Sequence, residues 1–345
     1  MSSKSWPLPA HFDPARVGQV FRVPYAQRAQ EARAFAQQHH VEPAWRDAKR
    51  VGLVLVDVQN TFCLPEFELF VAGRSGKGAV LDSVRTCEFI YKNLGRLTEI
   101  TATLDTHAAA QIFHPLFWID VQGQNPEPHT VISVEDVEKG RYRPNPALAK
   151  SLGLEAGFDI DAYALHYVKT LHDVAKYPLI VWPYHAMVGG IGHALVPSIE
   201  EAVFFHGIAR RTRTRYEIKG SHPLTEHYSV LRPEVLADHQ GEPIGERNFK
   251  LIEALLAFDA LIIAGQAKSH CVAWTIGDLL GEILKHDAAL ARKVYLLEDC
   301  TSPVVVPGVV DFTDPANAMF ARFAEAGMHL VQSKVPVESW PGFPA

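Results

Sequence analysis

The sequence predicts an α/β protein with a three-layer, doubly wound sheet of six mainly parallel strands. Three observations lead there. Short apolar runs alternate with longer amphipathic segments along most of the 345 residues, as strands and crossover helices do around a parallel sheet. A hydrophobic content of 48% supports a large buried core. Aspartate, histidine and cysteine gather just after the apolar runs, at the strand ends where such sheets bind ligands.

In chain order, residues 1–48 read as an N-terminal arm wrapping the surface, rich in proline, alanine and arginine, with a helix in YAQRAQEARAFAQQHH. The main domain runs over 49–345. Its strands are expected at VGLVLVD (51–57), EITATLD (99–105), AVFFHG (202–207), ALIIAG (260–265), VYLLED (294–299) and MHLVQS (328–333). GAVLDSVRTCEFIYKNLGRL, RNFKLIEALLAF, CVAWTIGDLLGEILKHD and DPANAMFARFAEAG carry apolar residues at helical spacing and supply the crossovers. Residues 115–181 form a long insertion between the second and third strands, ending in the helical stretch FDIDAYALHYVKTLHDV. Loops of that length are usually functional or disordered, so the insertion is expected to cover the cleft or to build a subunit interface in a homo-oligomer.

Composition excludes several classes of function. A net charge of −6 argues against an extended nucleic-acid surface, and ARRTRTR (209–215) reads as a solvated strand edge. No signal-peptide pattern opens the chain, and no run approaches the ~18 apolar residues of a membrane span. A cytoplasmic protein acting on a small molecule is expected. Cys63, Cys87, Cys271 and Cys300 form no CxxC pair, so neither a zinc knuckle nor a disulfide framework is indicated.

Chemistry concentrates at strand ends. Asp57 closes the first strand, Asp105 and His107 close the second, and Cys271 follows the fourth in AGQAKSHCVAW. A thiol at a helix start meets unpartnered N–H groups and a partial positive charge that favour thiolate. Local sequence leaves two readings open, a nucleophile or a small buried hydrophobe. Asp-x-His at a strand end can offer an oxygen and an imidazole nitrogen to a metal.

VDVQNTF, TLDTH, WPYHAMVGGIGHAL, IKG and AGQAKSHCV, in that order and spacing, resemble the isochorismatase-like cysteine hydrolases, and within them the nicotinamidases. The resemblance covers roughly 50–114 and 178–335. It implies the isochorismatase-like hydrolase fold and a catalytic triad of Asp57, Lys219 and Cys271. It also implies a cis peptide between Gln266 and Ala267, with oxyanion donors at the N–H groups of Ala267 and Cys271. Asp105, His107 and His185 would hold a divalent zinc, iron or manganese ion, with His114 as a possible fourth ligand or else a loop histidine. Phe62 and Trp182 match the aromatics that hold a pyridine ring. The implied activity is hydrolysis of nicotinamide or a related pyridine carboxamide. The alternatives are a sister amidohydrolase acting on another amide, carbamoyl or ureide group, and a catalytically silent pyridine-binding protein.

Three stretches depart from the family pattern. DTH lacks the usual aromatic, AMVGG replaces a Gln-Gly-Thr type of turn, and AKSHC replaces Ala-Thr-Asp-x-Cys. Lys268 thereby introduces a cation close in sequence to the thiol, either acting on it or pointing to solvent. His222, His227 and His270 read as supporting or surface groups.

Overall fold

The computed structural model describes residues 5–149, 151–154, 157–174 and 177–344. The first four residues of the arm and positions 150, 155, 156, 175 and 176 of the insertion lie outside the described residues. The chain divides into two compact units, one of Met1–Leu104, Ala194–Glu217 and Phe249–Ala345, the other of Asp105–His193 and Ile218–Asn248.

The first unit opens with helix α1 (Tyr25–His39), which packs on a later helix and buries Arg28 and Ala32. Strand β1 (Val51–Val56) is buried along its whole length, as a central parallel strand with both faces covered requires. The short helix α2 (Asn60–Cys63) and the longer α3 (Gly78–Lys92) lead to strand β2 (Glu99–Asp105), whose last residue begins the second unit.

In the second unit the segment expected as an insertion has structure of its own. Strand β3 (Trp118–Asp120) pairs antiparallel with β5 (Tyr142–Pro144), and β4 (Val131–Ile132) with β6 (Leu179–Ile180). Helix α4 (Val134–Glu138) starts on a Ser133–Asp136 capping box, and α5 (Pro146–Ala149) follows β5. The expected long helix is α6 (Ile160–Asp173), N-capped by Asp159. Its apolar face finds a partner within the chain. Tyr163 donates to Leu224 O at 2.6 Å, and Tyr167 Oη accepts from the Glu226 N–H at 3.2 Å.

One strand expectation is overturned. AVFFHG (202–207) lies inside helix α7 (Pro197–Arg210). Pro197 stands at the first turn, where a missing N–H costs nothing. Ile199, Ala202, Val203, Phe205, His206 and Ala209 are buried at helical spacing, and a short apolar run taken without its flanks reads equally as strand or as buried helix. The sixth strand is instead β7 (Arg215–Lys219), at one edge of the sheet. The basic run therefore reaches a strand edge only at Arg215. Arg210, in the same run, is buried and bridges Asp47 at 2.5 Å rather than being solvated.

The remaining elements are α8 (Phe249–Leu256), β8 (Ala260–Gly265), α9 (Cys271–His286), β9 (Val294–Leu297), the β10 (Val305–Val306) and β11 (Val310–Asp311) hairpin, α10 (Thr313–Glu325) and β12 (His329–Val331). The six-stranded sheet has the order β12-β9-β8-β1-β2-β7. β12 with β9, β9 with β8, β8 with β1 and β1 with β2 all pair in parallel. Helices flank this sheet as the expected α/β architecture requires, with α3 packing on α7 and α9 on α10.

From β1 the chain moves to β2 on one side, and from β8 to β9 and β12 on the other. The order therefore reverses between β1 and β8, which is the switch point where such sheets open a crevice. Gly265 is what lets the two strand ends close together. With φ at +119°, an added Cβ would lie 2.1 Å from Val56 O, and the Gln266 N–H donates to that same carbonyl at 2.7 Å. Among the described residues no helix is long and apolar enough to cross a membrane.

Candidate active site

The carboxyl ends of β1 and β8 place a thiol and a carboxylate together. Cys271 is the first residue of α9, and an Asp57 carboxylate oxygen lies within 4.8 Å of its Sγ. The peptide bond between Gln266 and Ala267 is cis, as the family resemblance implies. The turn between β8 and α9 is tied at several points. Gln266 donates from Nε2 to Asp82 Oδ2 at 2.8 Å and accepts at Oε1 from the Ser302 N–H at 3.3 Å. Ser269 Oγ accepts from the Val304 N–H at 3.0 Å and lies 2.8 Å from His270 Nδ1.

Asp57 follows β1 with φ at +47°, in the left-handed region that aspartate tolerates better than most residues. Its N–H donates to Thr103 Oγ1 at 2.9 Å, and the Thr103 hydroxyl donates back to Asp57 Oδ1 at 2.5 Å. Phe62 is buried in α2 of the same unit.

The four cysteines are not equivalent. Cys63, Cys87 and Cys300 have no exposed surface, whereas Cys271 keeps 7%. Burial pushes the Cys63, Cys87 and Cys300 thiols well above their ordinary range, which holds them protonated. Lys268 does not point to solvent. It is buried, lies 3.3 Å from Glu298, donates to Asn317 Oδ1 at 2.8 Å and sits over the Phe320 ring.

The second unit assembles a charged cluster. Ligand atoms of Asp105, His107 and His185 all lie within 4.8 Å of one another, with His107 Nε2 2.9 Å and His185 Nε2 3.9 Å from Asp105 Oδ2. His107 Nδ1 faces Gly220 O at 2.9 Å and His185 Nδ1 faces Pro183 O at 2.8 Å. A carbonyl can only accept, so each Nδ1 carries a hydrogen, and Nε2 is the ring atom that each histidine turns toward Asp105. Burial, then the neighbouring His107 and His114, push His185 well below the ordinary imidazole range and keep it neutral. Burial alone would raise the Asp105 carboxyl, but His107 and then Lys219 hold it far below the usual carboxylate range. Two imidazole Nε2 atoms and an ionised carboxylate that converge in this way fit a divalent cation.

Lys219 Nζ lies 2.9 Å from Asp105 Oδ1 and donates to His227 O at 2.7 Å. His227 therefore contributes its backbone here, while burial, then Lys219, lowers its ring to about 3. His114 is buried near the cluster, with its ring centroid 5.5 Å from that of His185. It is not one of the converging ligands, its Nδ1 faces Ala108 O at 3.1 Å, and burial lowers it to about 4. Trp182 is buried and donates from Nε1 to Tyr228 Oη at 3.1 Å.

Sequence reasoning missed the supports. Gly220, with φ at +82°, gives the cluster room, since an added Cβ would lie 2.5 Å from His107 Cε1 and 2.6 Å from Asp105 Oδ1. Thr103 had a signal: the two-residue period of EITATLD puts it on the same strand face as Asp105. Gly220 and Pro183 lie inside the motifs IKG and WPYH, but they act through backbone carbonyls, which no side-chain pattern marks.

No protein-family model matches the chain, and no curated protein matches it in sequence. Solved structures similar to it include three amide hydrolases. A nicotinamidase/pyrazinamidase from Acinetobacter baumanii is 18% identical over 84% of this chain and 98% of its own, with a TM-score of 0.46. The yeast nicotinamidase bound to the inhibitor nicotinaldehyde is 19% identical over 82% and 99%, at 0.49. The N-carbamoylsarcosine amidase from Thermoplasma acidophilum is 13% identical over 83% and 98%, at 0.39. At these identities and scores the likeness carries no functional inference, which rests instead on the residues described above.

Proposed function

We propose that the chain is a cysteine amidohydrolase that converts nicotinamide, or a related pyridine carboxamide, to the carboxylic acid and ammonia. The observation that carries this reading is the Cys271 thiol at the head of α9 with the Asp57 carboxylate within 4.8 Å of it. Of the four cysteines it alone combines a helix start, a nearby base and residual exposure.

In this reading Asp57 removes the thiol proton and the Cys271 sulfur attacks the amide carbon. Lys219 and the N–H groups of Ala267 and Cys271 stabilise the oxyanion. Protonated Asp57 gives its proton to the departing nitrogen, so ammonia leaves and a thioester remains. Asp57 then takes a proton from water as the water attacks the thioester, the carboxylic acid departs, and the thiol is restored. Phe62 and Trp182 hold the faces of the substrate ring. Asp105, His107 and His185 would hold a zinc, iron or manganese ion, which when bound offers a Lewis-acid contact to a substrate heteroatom such as a ring nitrogen.

Ammonia release from nicotinamide and benzamide by metal-loaded protein tests the proposal. Nicotinamide should be turned over far faster, since benzamide lacks the ring nitrogen. Equal turnover would reject the ring-nitrogen contact and favour a sister amidase, and release from neither would reject the carboxamidase reading.

A further inference from the structure

Thr103 sits on β2 with its side chain turned to the start of the loop after β1, and both it and Asp57 are fully buried. Its single hydroxyl makes two bonds to the same residue. It accepts the Asp57 N–H at 2.9 Å and donates to Asp57 Oδ1 at 2.5 Å. The first bond fixes the left-handed backbone of Asp57, and the second fixes the rotation of its carboxylate. Because the hydroxyl has one proton, acceptance from the backbone leaves that proton for Oδ1 alone. Orientation of the backbone and of the carboxyl plane are thus set by one atom, Thr103 Oγ1.

We propose that Thr103 is a positioning residue for the base: it commits Oδ1 of Asp57 as a hydrogen-bond acceptor and assigns the proton exchanged with Cys271 to Oδ2. This rests on the reading of Asp57 and Cys271 as base and nucleophile. General-base catalysis contributes roughly 10²–10⁴-fold and depends on placement to within an ångström or so, so loss of the hydroxyl should be felt at the thiol without changing what the pocket binds.

The variants Thr103→Val, which keeps the shape and loses the hydroxyl, and Thr103→Ser, which keeps the hydroxyl, separate the possibilities. Two rates are read, amide turnover and alkylation of Cys271 by iodoacetamide followed by peptide mass mapping. Thr103→Val should lower kcat and slow alkylation by about tenfold to a hundredfold, with KM within about twofold, and Thr103→Ser should restore both rates. The sign is informative, because a carboxylate that loses a donor becomes the stronger base and would by itself remove the thiol proton more readily. A slower Thr103→Val thiol with matching melting temperatures therefore reports lost orientation. Unchanged or faster alkylation in Thr103→Val, or equal slowing in Thr103→Ser, would overturn the assignment. If the native chain releases ammonia from no amide while the alkylation pattern holds, the amidohydrolase reading fails and the positioning role stands.

Discussion

The thiol region of the first unit and the charged cluster of the second solve the problem of placing reactive groups in opposite ways. Around Cys271 and Asp57 the placement comes from regular structure. β1 and β8 end side by side in a parallel pair, a helix begins at the thiol, and Gly265 allows the close approach. Around Asp105, His107 and His185 it comes from irregular backbone, with carbonyls of Gly220 and Pro183 orienting the two imidazoles and Lys219 balancing the carboxylate. A site held by strand ends tolerates sequence change in its loops. One held by individual carbonyls depends on each turn that presents them.

The comparison can be broken most severely at the thiol. Cys271→Ala or Asp57→Asn should remove turnover by at least about 10³-fold, while metal bound per chain, measured on the same samples, stays at the native level. Loss of metal in either variant would mean that the two regions do not divide the work in this way.

His185→Ala should do the reverse in the second unit, removing most bound metal and weakening substrate binding. Its Cys271 alkylation should remain, read by labelling and mass mapping. Smaller again is Gly220→Ala, whose methyl would meet both His107 and Asp105 in a left-handed backbone. It should cost ~1–3 kcal/mol from the backbone alone, seen as a lower melting temperature, and should reduce metal affinity. Lys268→Met should change turnover least, within a few-fold, because that ammonium is engaged by Glu298 and Asn317.

The same contrast explains what was legible in the sequence. The central strands VGLVLV and ALIIAG announce themselves by unbroken burial, and Asp57 and Cys271 by standing just beyond them. AVFFHG reads as a strand because a buried stretch of helix and a short strand share an apolar run, and only Pro197 and the spacing of buried residues toward Ala209 separate them. RYEIK was passed over because an edge strand with exposed Tyr216 and Ile218 lacks that apolar signature. In the second unit the side chains that gather could be named from their motifs. The carbonyls that aim them could not, since backbone groups are the same in every residue and only the fold says which of them face a ring.

The central claim is that Cys271 carries the acyl group during amide hydrolysis. Rapid mixing of the metal-loaded chain with nicotinamide, acid quenching within the first turnovers and peptide mass mapping test it directly. A pyridinecarbonyl adduct should appear on the Cys271 peptide before steady-state ammonia release and be absent from the peptides of Cys63, Cys87 and Cys300. Ammonia release with no adduct on Cys271 in Asp57-intact protein, or an adduct on another cysteine that is lost in step with activity, would contradict it.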